Sequence, residues 1–200
     1  MTRHAYLRGR TQAVEMLRQA GLSFTYQELE LIEVADFGLN DLDREGAQIL
    51  TLVTTGRLSV KLLVLFPRQT EPEHWHPPVG EDPGKEETIR MVAGTLYFYL
   101  PGDNTLKEGK IPGGKEPFYT VRNETILHRN DQLTVKPGTK HWFQAGAKGA
   151  VLYSFSTAVH DGLDKFSDPN VVRMTKMRDL KEHQREIDDA LSCYEINMRL

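Results

Sequence analysis

Four side chains constrain this sequence more than anything else in it. His74 and His76 stand two apart in E-H-W-H-P-P-V, Glu87 follows in K-E-E-T-I-R-M, and His141 lies in P-G-T-K-H-W-F. On a strand, residues two apart point to the same face. Between His76 and Glu87 come two prolines, Gly80 and D-P-G, turn residues that let the chain double back and bring Glu87 beside the two imidazoles. Three imidazoles and one carboxylate on paired strands make an N₃O donor set for a divalent metal. H-x-H alone also describes a strand with a wet face, and Glu87 alone says less. The joint pattern is what points to a metal.

The remaining chain supplies strands to carry such a site. Gln48 to Val53 and Leu58 to Phe66 are rich in Leu, Val and Thr, with T-T-G between them. The second run is apolar on both faces, as a strand inside a two-sheet barrel should be. A long strand continues from Glu87 through Thr88 to Leu100, with Gly94 marking a bulge or a change of register. Asp131 to Phe143 reads as strand, Pro137–Gly138 turn and strand, and Ala150 to Ser156 as the last barrel strand. Arg3 to Ala20 reads as an amphipathic helix stopped by Gly21. T-Y-Q-E at 25–28 is a capping box opening a second helix through Leu29 and Ile32. Both helices suit packing over the barrel or a subunit contact. Val172 to Leu191 reads as a C-terminal helix with an apolar stripe. The Gly/Pro/Lys-rich stretch Lys107 to Pro117 is either a lid over a site or a solvated loop.

The strings L-V-L-F-P-R-Q-T-E-P-E-H-W-H-P-P-V, G-K-E-E-T, T-K-H-W-F-Q-A-G and D-K-F-S-D-P resemble the D-lyxose ketol-isomerases, from about Ala35 to Arg173. These are manganese-dependent cupins that interconvert D-lyxose and D-xylulose. The resemblance implies an all-β cupin double-stranded β-barrel, a jelly roll, with N-terminal helices and a C-terminal helix. It implies one domain over 1–200: helical arm 1–34, barrel 35–173, helical tail 174–200. It also implies His74, His76, Glu87 and His141 as metal ligands. The donor set alone accepts Mn, Fe, Co, Ni or Zn; the resemblance favours Mn²⁺.

A metal with two further positions can hold the carbonyl and adjacent hydroxyl oxygens of a sugar. That suits aldose–ketose isomerisation through an enediol. Lys85, two before Glu87, faces the metal side if the strand is continuous, and the isomerases hold a lysine there near the substrate oxygens. The family motif in the last strand resembles G-A-V-x-x-E-x-S, with a glutamate proposed as catalytic base. This chain reads G-A-V-L-Y-S-F-S, with Ser154 at that position. An unperturbed hydroxyl is a poor base at neutral pH, so either Asp164, Asp161 or Glu86 stands in, Asp161 and Asp164 by folding back over the barrel mouth, or the reaction is not lyxose isomerisation. Phe143 shares the face of His141 as an apolar wall. Trp75 and Trp142 point away, Tyr6 and Tyr26 belong to packing, and His128 is exposed. His4, His160 and His183 lack partners at useful spacing.

Composition excludes other classes. A net charge of −3 gives no argument for nucleic acid or anionic membrane. The longest apolar run, Leu62 to Phe66, falls far short of the ~20 residues of a membrane span. M-T-R-H-A-Y-L-R-G-R has no apolar leader core. The single Cys193 excludes an internal disulfide and suits the cytoplasm; it reads as a structural bystander. No Ser–His–Asp elbow, P-loop or dinucleotide fingerprint competes. The expected protein is a cytoplasmic sugar isomerase, a homodimer by analogy with cupins and from the stripes on its terminal helices. Its partner is a small-molecule sugar, such as D-lyxose or D-mannose. Two alternatives share the metal site: a cupin dioxygenase with Fe²⁺, and a sugar-binding cupin without catalysis, the readings that Ser154 favours.

Overall fold

The strand-rich middle of the sequence curls into one all-antiparallel sheet in a computed structural model that describes residues 1–157 and 161–175. Its strands are β1 (Glu33–Ala35), β2 (Ala47–Thr54), β3 (Leu58–Leu65), β4 (Thr70–Trp75), β5 (Glu87–Leu100), β6 (Asn123–His128), β7 (Gln132–Val135), β8 (His141–Thr157) and β9 (Lys165–Phe166). The order runs β1-β2-β3-β8-β4-β9, and β5 pairs with β6, β7 and β8. This is the all-β cupin barrel expected from the sequence.

Alternation explains how the sheet uses its two faces. On β3, Leu63 and Leu65 enter the interior with Ile89, Met91, Phe98, Phe143 and Leu152. Leu62 and Val64 point outward, where α1 (Arg3–Gln19) lays Ala13, Val14 and Leu17 on them. A fully buried side chain of this size contributes about 1.5–3 kcal/mol, so the stripe of α1 is used on its own sheet. Thr2 caps α1 by accepting from the Ala5 N–H. The capping box forms as read, Thr25 and Glu28 bonding reciprocally, but its helix α2 (Tyr26–Glu30) is short. Ile32 is buried just before β1, which the sequence reading did not anticipate.

β8 departs from expectation more. It was read as two strands and is one strand of seventeen residues. Its C-terminal half pairs with both β3 and β5, and its N-terminal half with β4 and β5. Gly94 and Gly149 meet where the β5–β8 register shifts. Both have positive φ, and a Cβ on Gly94 would lie 2.1 Å from the Gly149 carbonyl oxygen. Only glycine permits that approach, so the anticipated interruption is a bend inside a continuous ladder. Residues 172–175 are described and are not helical, so the expected C-terminal helix does not begin at Val172; the rest of it, His160, His183 and Cys193 lie outside the described residues, as does the side chain of Asp161.

Candidate metal centre

The four expected ligands converge at one end of the interior. His74 lies one residue before the end of β4, His76 directly follows that strand, Glu87 opens β5 and His141 opens β8. His74 and His141 are register partners on β4 and β8. All four residues are buried, and one ligand atom from each lies within 4.8 Å of every other.

Neighbouring acceptors fix which nitrogen each ring presents. His74 Nδ1 lies 2.8 Å from the Pro72 carbonyl oxygen, and His141 Nδ1 2.8 Å from that of Thr139. A carbonyl can only accept, so both Nδ1 atoms carry the proton and both Nε2 atoms present lone pairs. His76 Nδ1 lies 2.7 Å from Asp164 Oδ1, and its Nε2 faces Glu87 Oε2 at 3.2 Å. Imidazoles held through Nδ1 by carbonyls and a carboxylate are the usual outer support of a metal site.

Electrostatics point the same way. Burial, then the neighbouring imidazoles, hold His74 well below the ordinary histidine range. Burial, then His76, pushes His141 down to about 4. Burial would raise Glu87, but Lys85, His76 and His141 outweigh it and hold the carboxyl well below its ordinary range. Burial would lower His76, but the bonds to Asp164 and Glu87 raise it. His141 Nε2 is buried without a hydrogen-bond partner among the described residues. A buried lone pair aimed at other lone pairs and a carboxylate is costly unless a cation sits among them. The donor set therefore fits a single divalent metal.

The other candidates gather around Glu87. Lys85 Nζ lies 3.3 Å from Glu87 Oε1 although Lys85 precedes the strand rather than continuing it. The Ser154 hydroxyl donates to the same oxygen. Asp164 reaches His76 because β9 pairs with β4 and folds the chain back, as anticipated. Glu86 is exposed and away from the cluster. Phe143 lines the cavity, Trp142 stacks on Tyr99 behind the sheet, Trp75 lies against Lys140, and His128 is exposed.

The cluster opens into a cleft with about 370 Å³ of empty space, its solvent-open part included. Ile49, Leu63 and Phe143 form its apolar wall, and Lys61, Lys85, Glu71 and Arg173 add charged groups. No residue of the 107–117 loop lines it. That loop is tied elsewhere, Lys110 N–H to Gln144 and Lys115 to Asp168. Sequence reasoning missed Lys61, Glu71 and Arg173. Lys61 was hidden in an apolar run, and Arg173 lies at the far end of the matched region. Glu71 has odd spacing from His74, which strict alternation assigns to the opposite face.

No protein-family model matches the chain. A D-lyxose ketol-isomerase of Cohnella laeviribosi is 48% identical over 166 residues, covering 82% of this chain and 91% of that protein. A D-lyxose/D-mannose isomerase of Thermosediminibacter oceani is 46% identical, covering 82% and 92%. Among solved structures, the L-ribose isomerase of Cellulomonas parahominis superposes with a TM-score of 0.75 over 89% of this chain and 98% of that one, at 15% identity, which speaks for the fold alone. With identity this high over most of both sequences, the chain belongs to the D-lyxose ketol-isomerase family.

Proposed function

We propose that this protein is a metal-dependent aldose–ketose isomerase that converts D-lyxose to D-xylulose, with D-mannose to D-fructose as a second reaction of the same site. The observation that carries this is the buried cluster of three oriented imidazoles and Glu87, beside a cleft lined by apolar and charged side chains, in a member of this family. His74, His76, Glu87 and His141 would hold one divalent ion, which supplies Lewis-acid polarisation of the sugar carbonyl. The family resemblance favours manganese.

The chain's own groups divide the remaining work. Asp164 orients His76 by accepting its Nδ1 proton. Ser154 donates to Glu87 and holds that carboxylate in place, so here it is a positioning residue. Lys85 brings an ammonium to the cleft, where it stabilises negative charge on the enediol oxygens. Ile49, Leu63 and Phe143 shield that intermediate from water. We further infer a homodimer in the cytoplasm; the single cysteine supports a reducing compartment. No helix among the described residues is long and apolar enough to cross a membrane.

The test is turnover of pentoses and hexoses by purified protein with added Mn²⁺, alongside metal analysis and light scattering. D-Xylulose from D-lyxose is the expected product. Metal-loaded protein that isomerises no aldose overturns the assignment.

A further inference from the structure

An isomerase needs a group that takes a proton from one carbon and returns it to the next. The serine in the last strand cannot do this, and the other carboxylates at the cleft are engaged. Glu87 faces His76 and His141 through one oxygen and holds Lys85 and Ser154 through the other. Asp164 Oδ1 accepts from His76. Glu71 differs: it lines the cleft, and its Oε2 is buried with no hydrogen-bond partner among the described residues.

The backbone explains why it faces inward. Glu71 pairs with Phe143, whereas His74 pairs with His141, so the β4–β8 register slips by one residue between them. Pro72 and Glu73 together oppose Trp142, and the extra residue is a β-bulge. Directly opposed residues share a face, and Phe143 and His141 share one by alternation. The slip therefore turns Glu71 to the side of His74. Glu73 takes the opposite side, where it accepts from the N–H groups of Thr120 and Val121.

Resting on the isomerase assignment above, we propose that Glu71 is the catalytic base, carrying the proton between the two reacting carbons from the β4 side of the cleft. The C–H bond of the hydroxyl-bearing carbon breaks. Its proton goes to Glu71, and its electron pair becomes the second bond of an enediol as the carbonyl oxygen takes a proton from Lys85. Glu71 then gives its proton to the former carbonyl carbon. The other enediol oxygen loses its proton to Lys85 and becomes the ketone. Both side chains end as they began, with no oxidant or reductant. Burial, then the nearby Glu87, pushes the Glu71 carboxyl up to about 7. A base of that strength suits both abstraction and return at neutral pH.

The test is Glu71→Gln, assayed beside wild type with Mn²⁺ and D-lyxose in deuterated water. Wild type is expected to form xylulose, with solvent deuterium at C1 to the extent that Glu71 exchanges the abstracted proton with water before returning it. The variant is expected to keep its bound metal and its melting temperature, while turnover and deuterium exchange fall together by about 10²–10⁴-fold. A variant within tenfold of wild type overturns the role of Glu71 and leaves the isomerase assignment standing. So does a variant that loses metal or does not fold, which makes Glu71 a structural residue. A wild type that neither isomerises nor exchanges any aldose overturns the isomerase assignment, and the role of Glu71 with it.

Discussion

β4 carries two glutamates two residues apart, and the regions they enter treat a carboxylate in opposite ways. Behind the sheet, Glu73 accepts from the N–H groups of Thr120 and Val121 and from the hydroxyls of Thr120 and Ser167, with Lys140 Nζ 3.6 Å away. It ties the 119–121 loop and the segment after β9 to one strand. Inside the barrel, Glu71 has an oxygen with no hydrogen-bond partner among the described residues. A satisfied buried carboxylate stabilises a fold, whereas an unsatisfied one costs stability and persists where a ligand or a reaction uses it. The bulge between them separates the two environments.

The largest effect should fall on the inner region. His141→Ala is expected to lose the bound metal and all measurable isomerisation, while His128→Ala keeps both. Plasma emission analysis and a sugar assay read the difference. His141→Ala protein that still binds stoichiometric metal would break the assignment of the cluster.

On the outer region the damage should be to stability. Glu73→Ala leaves four donors without their acceptor, and a buried donor left unsatisfied costs about 1–3 kcal/mol. Denaturant titration should show that loss, with metal stoichiometry unchanged at a temperature where the variant is folded. If the variant unfolds no more easily than wild type, the contrast between the two glutamates disappears.

A titration sharpens the same contrast. The folded Glu71 carboxyl lies at about 7 against 4.5 for the ordinary group. Between those values the folded chain keeps a proton that the unfolded chain has released. Metal-free protein should therefore lose stability as pH rises across this window, by up to about 1.4 kcal/mol per unit. Glu71→Gln should flatten that slope in pH-dependent melting curves, and an unchanged slope assigns it to another group.

The smallest effect expected is at the edge of the metal cluster. Asp164→Asn keeps the shape but loses the charge behind His76, and removing such a support typically weakens metal binding by about 10–100-fold. Competition with a chelator measures it. Unaltered affinity would show that Asp164 is a bystander.

The ligands were legible because their chemistry is in the residue types: His74, His76, Glu87 and His141 needed only strand parity and turns to be grouped. The capping box at Thr25 and the interruption at Gly94 were legible for a similar reason, since each rests on local backbone chemistry. Glu71 was not, because parity counts residues and a bulge adds one that the sequence does not mark. Pro72, at the slip, is the one hint, since proline within a strand is found at edges and bulges. Asp164 was singled out as a substitute base, and the structure puts it against His76, a contact made only when β9 docks on β4. β8 continues through Gly149 because Gly94 on β5 makes room beside it, a pairing that neither stretch shows by itself.

The docking of β9 also gives the site a history. During synthesis all four ligands have left the ribosome once His141 has, yet the group that fixes the tautomer of His76 is still to come, and so is Ser167, which completes the bonds around Glu73. A nascent chain that has reached the end of β8 owns every donor atom but lacks the support that aims one of them. A chain broken off before Asp164 is therefore expected to hold metal more loosely than the full chain, which competition with a chelator measures.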